Sequence, residues 1–481
     1  MTKRTAIKGA IVTATTTALL AGCTTIGPTT ELETPSGTQF RNADGLTQRM
    51  DVPALGDAAQ WWQATNDPEL ARLVEHALTV NLDIVAAKSR FDEANAFVKR
   101  VRAERFPAGD TGASAARQRQ SLEGVPGAFI GDVPGFERDL TIYDVSTQAN
   151  WEIDLFGRLG AATRAARANR AETSALLDGV RISIAAETAD AYVTWAAANE
   201  QIAIIMRQCA IAEQLVETVR RRLAAGTAAR TELDQIEGEL ARLDALLPQV
   251  QMAAEAQRNR LVVLTAGAEL KSAPVAVPTI PRLSSLASPA VVLRARPDVR
   301  AAEARVAASD ARIASALMEY YPSLSLAGLI GFQSIDSGQL FSSSAFNAQG
   351  LIGLRWRLFD FAKIDAEVKA ARARSDGVLA GYQSALLLAT EDVENCLFAA
   401  IARETQVREA ERARGSIERA TRDARRTFEA GLIGLPAKLQ AEQRLLDVEQ
   451  QSLDARIAQA RSHIALFRAT ASGSDYQPPA P

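Results

Sequence analysis

Two periodicities alternate along the chain. Between Leu159 and Leu223 there is no proline, and the glycines are Gly160 and Gly179. At about 1.5 Å per residue, roughly 65 helical residues span nearly 100 Å, far beyond an ordinary globular helix. The segment ends in a heptad of Ile202, Ile205, Cys209, Ala212, Val216, Val219 and Leu223. Gly226 follows, where a helix C-terminus needs a residue of positive φ. Thr231 with Asp234 reads as an N-terminal capping pair. The return helix repeats the seam at Leu233, Ile236, Leu240, Leu243, Leu247 and Val250. Two stripes of 3.5-residue period joined by a short turn predict an antiparallel coiled coil. A second hairpin turns at Gly431, with Pro436 in the first turn of its return helix. Its seam of Val407, Ala410, Ile417, Ala424 and Phe428 is interrupted by Arg414 and Thr421, so it reads as less tightly bound.

Elsewhere the period drops to two. Leu324, Leu326, Gly328, Ile330 and Phe332 share one face, and Ser323, Ser325, Ala327, Gly331 and Gln333 the other. Ala348, Gly350, Ile352, Leu354, Trp356 and Leu358 oppose Asn347, Gln349, Gly353, Arg355 and Arg357. Tyr143, Val145, Thr147, Ala149, Trp151 and Ile153 oppose Asp144, Ser146, Gln148, Asn150, Glu152 and Asp154. Such runs match the about 9–11 residues of a tilted membrane strand. The strand after Pro107 is weaker, because Gly109, Thr111, Ala113 and Ala115 make a poor apolar face.

The elements occur twice. Leu82-Asp83-Ile84 and Phe106-Pro107 return as Pro297-Asp298-Val299 and Tyr321-Pro322, both 215 positions later. Trp151, Phe156, Arg167, Gly226 and Leu261 return as Trp356, Phe361, Arg372, Gly431 and Leu466, all 205 positions later. Constant offsets on either side of a single ten-residue difference mark an internal repeat with one loop insertion. The copies span 60–285 and 286–472, divided by a stretch carrying Pro274, Pro278, Pro281 and Pro289. Each contains a helix, a β-hairpin (about 106–156 and 321–361) and two long helices. The long helices fall at about 159–225 and 231–266, then 362–430 and 436–470. Residues 473–481 read as a flexible tail.

Composition narrows the chemistry. The 481 residues hold 54 Lys and Arg against 57 Asp and Glu, a net charge of −3, so no global basic field points to nucleic acid. Three cysteines and two histidines argue against a disulfide framework or a His/Cys metal centre. His76 and His463 lie on separate helical segments, Cys209 falls on a packing seam, and Glu391, Asp392 and Glu394 lack converging partners for a metal. With no phosphate loop, nucleophile elbow or zinc-protease motif, neither an enzyme nor a bound cofactor is expected. At the N-terminus, Lys3, Arg4 and Lys8 precede a short apolar run ending in Leu20-Ala21-Gly22-Cys23. This resembles a bacterial lipoprotein signal: 1–22 would be removed, Cys23 acylated, and 23–59 would form a linker. Thr24, in place of an aspartate, points to the outer membrane. No later stretch reaches about 18 apolar residues, so any crossing of a bilayer must be made by β-structure.

Four strands cannot close a barrel, and an open sheet edge cannot persist in lipid. Two copies would give eight strands with a filled interior, three would give twelve with a lumen. The lipoprotein signal, the paired repeats, Arg296-Pro297-Asp298-Val299-Arg300-Ala301-Ala302-Glu303 and Tyr321-Pro322-Ser323-Leu324-Ser325-Leu326 together resemble the outer-membrane efflux channels of the TolC/OprM type, nearest their NodT-like lipoprotein branch. The resemblance covers essentially the whole mature chain. It implies a mainly α fold with a membrane β-barrel, in which long antiparallel coiled-coil helices form a periplasmic tunnel. Four strands per protomer would build a 12-stranded barrel in a homotrimer. It implies a periplasmic membrane-fusion adaptor, an inner-membrane pump of the resistance–nodulation–division type, outer-membrane lipid and small-molecule efflux substrates as partners. The family's helix-tip motif maps onto Gly226 and Gly431, with Leu223, Phe428 and Glu232 as further adaptor-contact candidates. In the second copy Ala437 and Gln440 stand at the acidic positions, with Lys438 between them, so the family's acidic entrance ring does not carry over residue by residue. Arg355 and Arg357 are expected to face the lumen, since arginine facing lipid costs roughly 2–4 kcal/mol at mid-bilayer. Trp151 and Trp356 are expected at the membrane interface. The rival reading is a lipid-anchored periplasmic coiled-coil scaffold with no conducting pore.

Overall fold

A computed structural model describes residues 29–32, 39–43, 58–65, 67–121, 123, 137–270, 273–274, 276–283 and 286–472. Cys23 and the proposed signal, most of the linker and the tail lie outside the described residues. The elements run α1 (Pro68–Val80), α2 (Leu82–Ala103), β1 (Ala108–Arg119), β2 (Asp139–Ile153), α3 (Arg158–Ala224) and α4 (Arg230–Leu264). The second series is α5 (Pro289–Ala295), α6 (Pro297–Leu317), β3 (Ser323–Ser334), β4 (Phe346–Arg355), α7 (Phe361–Glu429) and α8 (Leu435–Ala469). Among the described residues, no helix is long and apolar enough to cross a membrane. The chain divides into two compact units.

The first unit contains Asp92–Ala171 and Ala304–Ala380 and holds the whole sheet. Its four strands are antiparallel in the order β1-β2-β3-β4, which leaves β1 and β4 as edges. Ala108 opposes Asn150 in the first hairpin, and their repeat counterparts Ser323 and Arg355 oppose one another in the second. The register is thus preserved through both offsets. The weak strand after Pro107 pairs with β2 along its full length. Backbone pairing with a neighbour supplies what its small side chains do not, because strand propensity is mostly packing context.

The second unit contains Leu32–Phe91, Glu172–Glu303 and Gly381–Pro481. Its main core gathers Leu70, Leu73, Val193, Trp195, Leu261, Ile464 and Phe467. Trp61 is buried in it and stacks on Phe467 with ring centroids 4.9 Å apart. The first coiled-coil seam packs as its heptad predicts, with Val216, Val219 and Leu233 buried beside Leu223, Ile236 and Leu240. In the second hairpin Thr421 does not interrupt the packing: it is buried, and its hydroxyl donates to Ala441 O at 3.0 Å. A hydrogen bond across the hairpin removes the penalty of burying that hydroxyl. The capping pair expected at Thr231 is not formed. Ala229 occupies the N-cap without a side-chain bond, and Asp234 pairs with Arg230 at 2.9 Å.

Candidate functional site

In the first unit one face of the sheet is apolar and the other is mixed, polar at Asp110, Asp144, Ser146, Gln148 and Gln349 but carrying Leu329 and the exposed Leu351 as well. Leu326, Ile330, Phe346, Ile352, Leu354 and Trp356 stand exposed on the apolar side. On the other, Gln148 donates to Asp110 at 3.0 Å and Ser146 to Asp144 at 2.7 Å. A contiguous exposed apolar band on a soluble surface would be a liability, and facing lipid removes it. Trp151 and Trp356 mark the foot of this face. Their indole N–H groups donate to the carbonyls of Arg105 (2.9 Å) and Tyr320 (3.0 Å), which are repeat counterparts. Each hairpin is therefore tied back, by the same bond, to the turn that follows its preceding helix.

The mixed face ends in a group of charges. Arg355 is the last residue of β4, exposed and directly opposite Ser323. Arg357 lies beyond the strand and is held by Glu319 (3.1 Å), Glu367 (3.3 Å) and Asp360 (3.4 Å). Arg158 takes both oxygens of Glu152, each at 2.8 Å. Asp154 accepts from the backbone N–H groups of Leu159 and Gly160, capping α3. The sequence placed both arginines on one face but did not distinguish the neutralised Arg357 from Arg355.

In the second unit the helix tips carry the remaining candidates. Gly226 (φ +71°) and Gly431 (φ +73°) are exposed and close matched turns. Gly226 N–H donates to Leu223 O and Thr227 N–H to Arg222 O; Gly431 and Leu432 repeat this with Phe428 and Thr427. This pair of bonds satisfies the last carbonyls of a helix and requires the left-handed backbone that glycine tolerates. Leu223 and Phe428 are half-buried, and the Lys438 ammonium lies 5.6 Å from the Phe428 ring centroid. Glu232 pairs with Arg222 at 3.0 Å. Arg220 and Arg221 likewise meet Glu237 and Glu217, so the arginine run is neutralised locally.

Other positioning roles are not legible in the sequence. Asn81, buried between α1 and α2, donates to Leu264 O at 2.9 Å, near the end of α4. Its repeat counterpart Arg296 donates to Ala469 O at 2.7 Å, at the end of α8, and also pairs with Asp392 and Asp298 at 2.8 Å. An amide and a guanidinium thus do one job at matched positions, which residue identity alone conceals. Burial opposes ionisation of Asp298, but the hydrogen bonds and charge of Arg296 hold its carboxyl below the ordinary value. Glu394 accepts from Arg41 N–H (2.6 Å) and Asn42 N–H (3.1 Å), fastening the N-terminal segment to α7. Between α3 and α8 run three ion pairs, Arg461–Asp190 (2.7 Å), Arg456–Glu200 (2.5 Å) and Arg207–Glu449 (2.6 Å). His463 is buried, its Nδ1 3.3 Å from Ile280 O. Among the described residues, no group of His, Cys, Asp and Glu could hold a metal ion.

Comparison with known proteins places this architecture. The profile of the outer membrane efflux protein family matches residues 73–267 and 289–472, one match in each copy of the repeat. The chain is 28% identical to the pyoverdine export outer membrane protein OpmQ of Pseudomonas putida, over 95% of both chains. It is 25% identical to the probable outer membrane lipoprotein SilC of Salmonella typhimurium, over 95% of this chain and 96% of that one. The solved outer-membrane channel OprN superposes with a TM-score of 0.80 at 28% identity, covering 94% of this chain and 99% of that one. Two-faced strands, matched coiled-coil hairpins and a family match in each half lead to one conclusion: the chain belongs to the outer membrane efflux proteins, which are channels of the bacterial outer membrane and not enzymes.

Proposed function

We propose that three copies of this chain close their sheets into a 12-stranded barrel and serve as the passive exit duct of a tripartite efflux system. Small compounds would leave the cell through it, driven by an inner-membrane pump of the resistance–nodulation–division type through a periplasmic adaptor. The observation that carries this reading is the pair of open edges, β1 and β4, in a sheet whose register repeats. Within the chain, β2 of the first copy pairs with β3 of the second, where Ala149 opposes Gly328. Their repeat counterparts are Leu354 on β4 and Ala113 on β1. The same pairing between chains sets Leu354 opposite Ala113 of a neighbouring copy. Three copies, unlike two, leave a water-filled lumen.

A second open face supports assembly. Leu387 and Phe398 on α7 are 73% and 63% exposed, whereas their counterparts Ile182 and Val193 on α3 are 5% and 0% exposed. Intramolecular neighbours cover Ile182 and Val193, and a second copy would cover Leu387 and Phe398. Acylation of Cys23 would add a lipid anchor. Gly226 and Gly431, with Leu223, Phe428 and Glu232, would meet the adaptor, because bare glycine backbones permit close approach. Arg355 and Arg357 would face the lumen, and Trp151 and Trp356 would lie at the membrane interface. Export of pyoverdine by OpmQ makes small organic compounds the natural class of cargo.

The test pairs Ala113→Cys with Leu354→Cys in a Cys209→Ser, Cys396→Ser background, oxidised in outer-membrane vesicles, with conductance measured in planar bilayers. The expected results are disulfide-linked trimers and discrete current steps that grow when the tip at Gly431 is loosened. A stable oligomer without the cross-link, and without steps from either the native or the loosened protein, would sink the channel and leave the scaffold.

A further inference from the structure

At the foot of the sheet, on the face that carries Arg355, the first unit forms a partly open cavity of about 360 Å³. Glu152, Ser323, Ser325 and Arg355 come from the strands, and Phe156 and Tyr321 from the flanking turns. The two aromatic rings stack with centroids 4.8 Å apart and form an apolar wall. The carboxylates bordering the cavity each have a partner. Glu152 is bound to Arg158, Glu319 to Arg357, and Asp154 to the backbone at the start of α3. Arg357 is shared by three carboxylates. Arg355 differs: among the described residues its guanidinium has no carboxylate partner, although it lines the same wall. A planar, permanently charged fork beside a stacked aromatic pair matches a carboxylate carried on a ring. The volume falls in the range that holds a small organic molecule.

We propose that this cavity is a transit site for aromatic carboxylates, with the acid on Arg355 and the ring against Phe156 and Tyr321. The site lies on the face that carries Arg355, so its place in an export path rests on the channel reading; the cavity itself does not. Arg355 is exposed, so water screens the pair and binding is weak. Weak binding suits a duct, where a solute must be attractive enough to enter and loose enough to leave.

The experiment is isothermal titration of the full-length, detergent-solubilised protein with 2-naphthoate, and with neutral 2-naphthalenemethanol to measure partition into the micelle and apolar contact. Saturable naphthoate binding of one molecule per chain is expected, weakened about tenfold by Arg355→Gln. Arg355→Lys should restore part of it, as an ammonium keeps the charge without the fork. Phe156→Ala should weaken both ligands. Equal naphthoate affinity in native protein and Arg355→Gln would overturn the site, as would native binding no stronger than the micelle background. Bilayer conductance of the same preparations keeps the two ideas apart. Steps without Arg355-dependent binding would leave a channel lacking this site, whereas binding without steps would leave the site and remove the channel.

Discussion

Arg296 offers a quantitative test of how the repeat is fastened. Its guanidinium, 12% exposed, binds the Ala469 carbonyl at 2.7 Å, Asp392 at 2.8 Å and Asp298 at 2.8 Å. Asp298 and Asp392 are 51% and 38% exposed, so each pair is worth about 0.2–1 kcal/mol. The charge-assisted bond to a carbonyl at the end of α8 is worth about 1.5–3 kcal/mol. Arg296→Ala should therefore cost about 3 kcal/mol. At ~2.1 cal/mol/K per residue, a chain of this size unfolds with an entropy of about 1 kcal/mol/K, and the midpoint should fall by about 3 °C. Asn81→Ala should cost about as much. It removes the caps on the Asp83 and Ile84 N–H groups (2.9 and 3.3 Å) and orphans a buried carbonyl at Leu264. Differential scanning fluorimetry of the detergent-solubilised protein measures both, with Arg412→Ala as an exposed ion-pair control (Arg412–Glu409, 2.9 Å). The difference should also depend on pH. Because Asp298 has a lowered folded pKa, its contribution is present above the ordinary carboxylate value of about 3.9 and is lost as pH falls through the folded value. Arg296→Ala melting within about 1 °C of native protein, alongside Arg412→Ala, would refute the clasp.

Phe398→Asp should prevent oligomerisation, since covering its exposed area is worth about 3 kcal/mol per copy; light scattering after size exclusion reads the mass. A mass unchanged from native would show that this face is not an interface. Cys396, pushed up to about 11 by burial and by the charge of Asp392, should react with maleimide at pH 7.5 far more slowly than a free peptide thiol, as followed by mass spectrometry. Gly431→Ala, which forces a side chain into a φ of +73°, should cost about 1 kcal/mol locally. Hydrogen exchange should then quicken at residues 427–435 and not at the Gly226 tip.

The sequence by itself determined what repeats. The 3.5-residue seams, the two-residue alternation and the paired offsets of 215 and 205 dictate the helices, the strands and the copying. Each is a local periodicity that must place its apolar set on one face. The bounds of α3 and α7 were legible for the same reason: glycine at Gly226 and Gly431 ends each helix where a left-handed residue is needed. Tertiary structure decided which polar residues are spent and which are spare. Arg355 and Arg357 are indistinguishable in the strand pattern, yet among the described residues Arg357 meets carboxylates from the segment before β3 and from α7, and Arg355 meets none. Thr421 resembles a flaw in a heptad until Ala441 O, 20 positions away, accepts its hydroxyl. Asn81 and Arg296 share a role that their chemistry hides, because the carbonyls they reach lie 183 and 173 positions along the chain. Periodicity is written between near neighbours, whereas charge pairing is settled between residues that only the folded chain brings together.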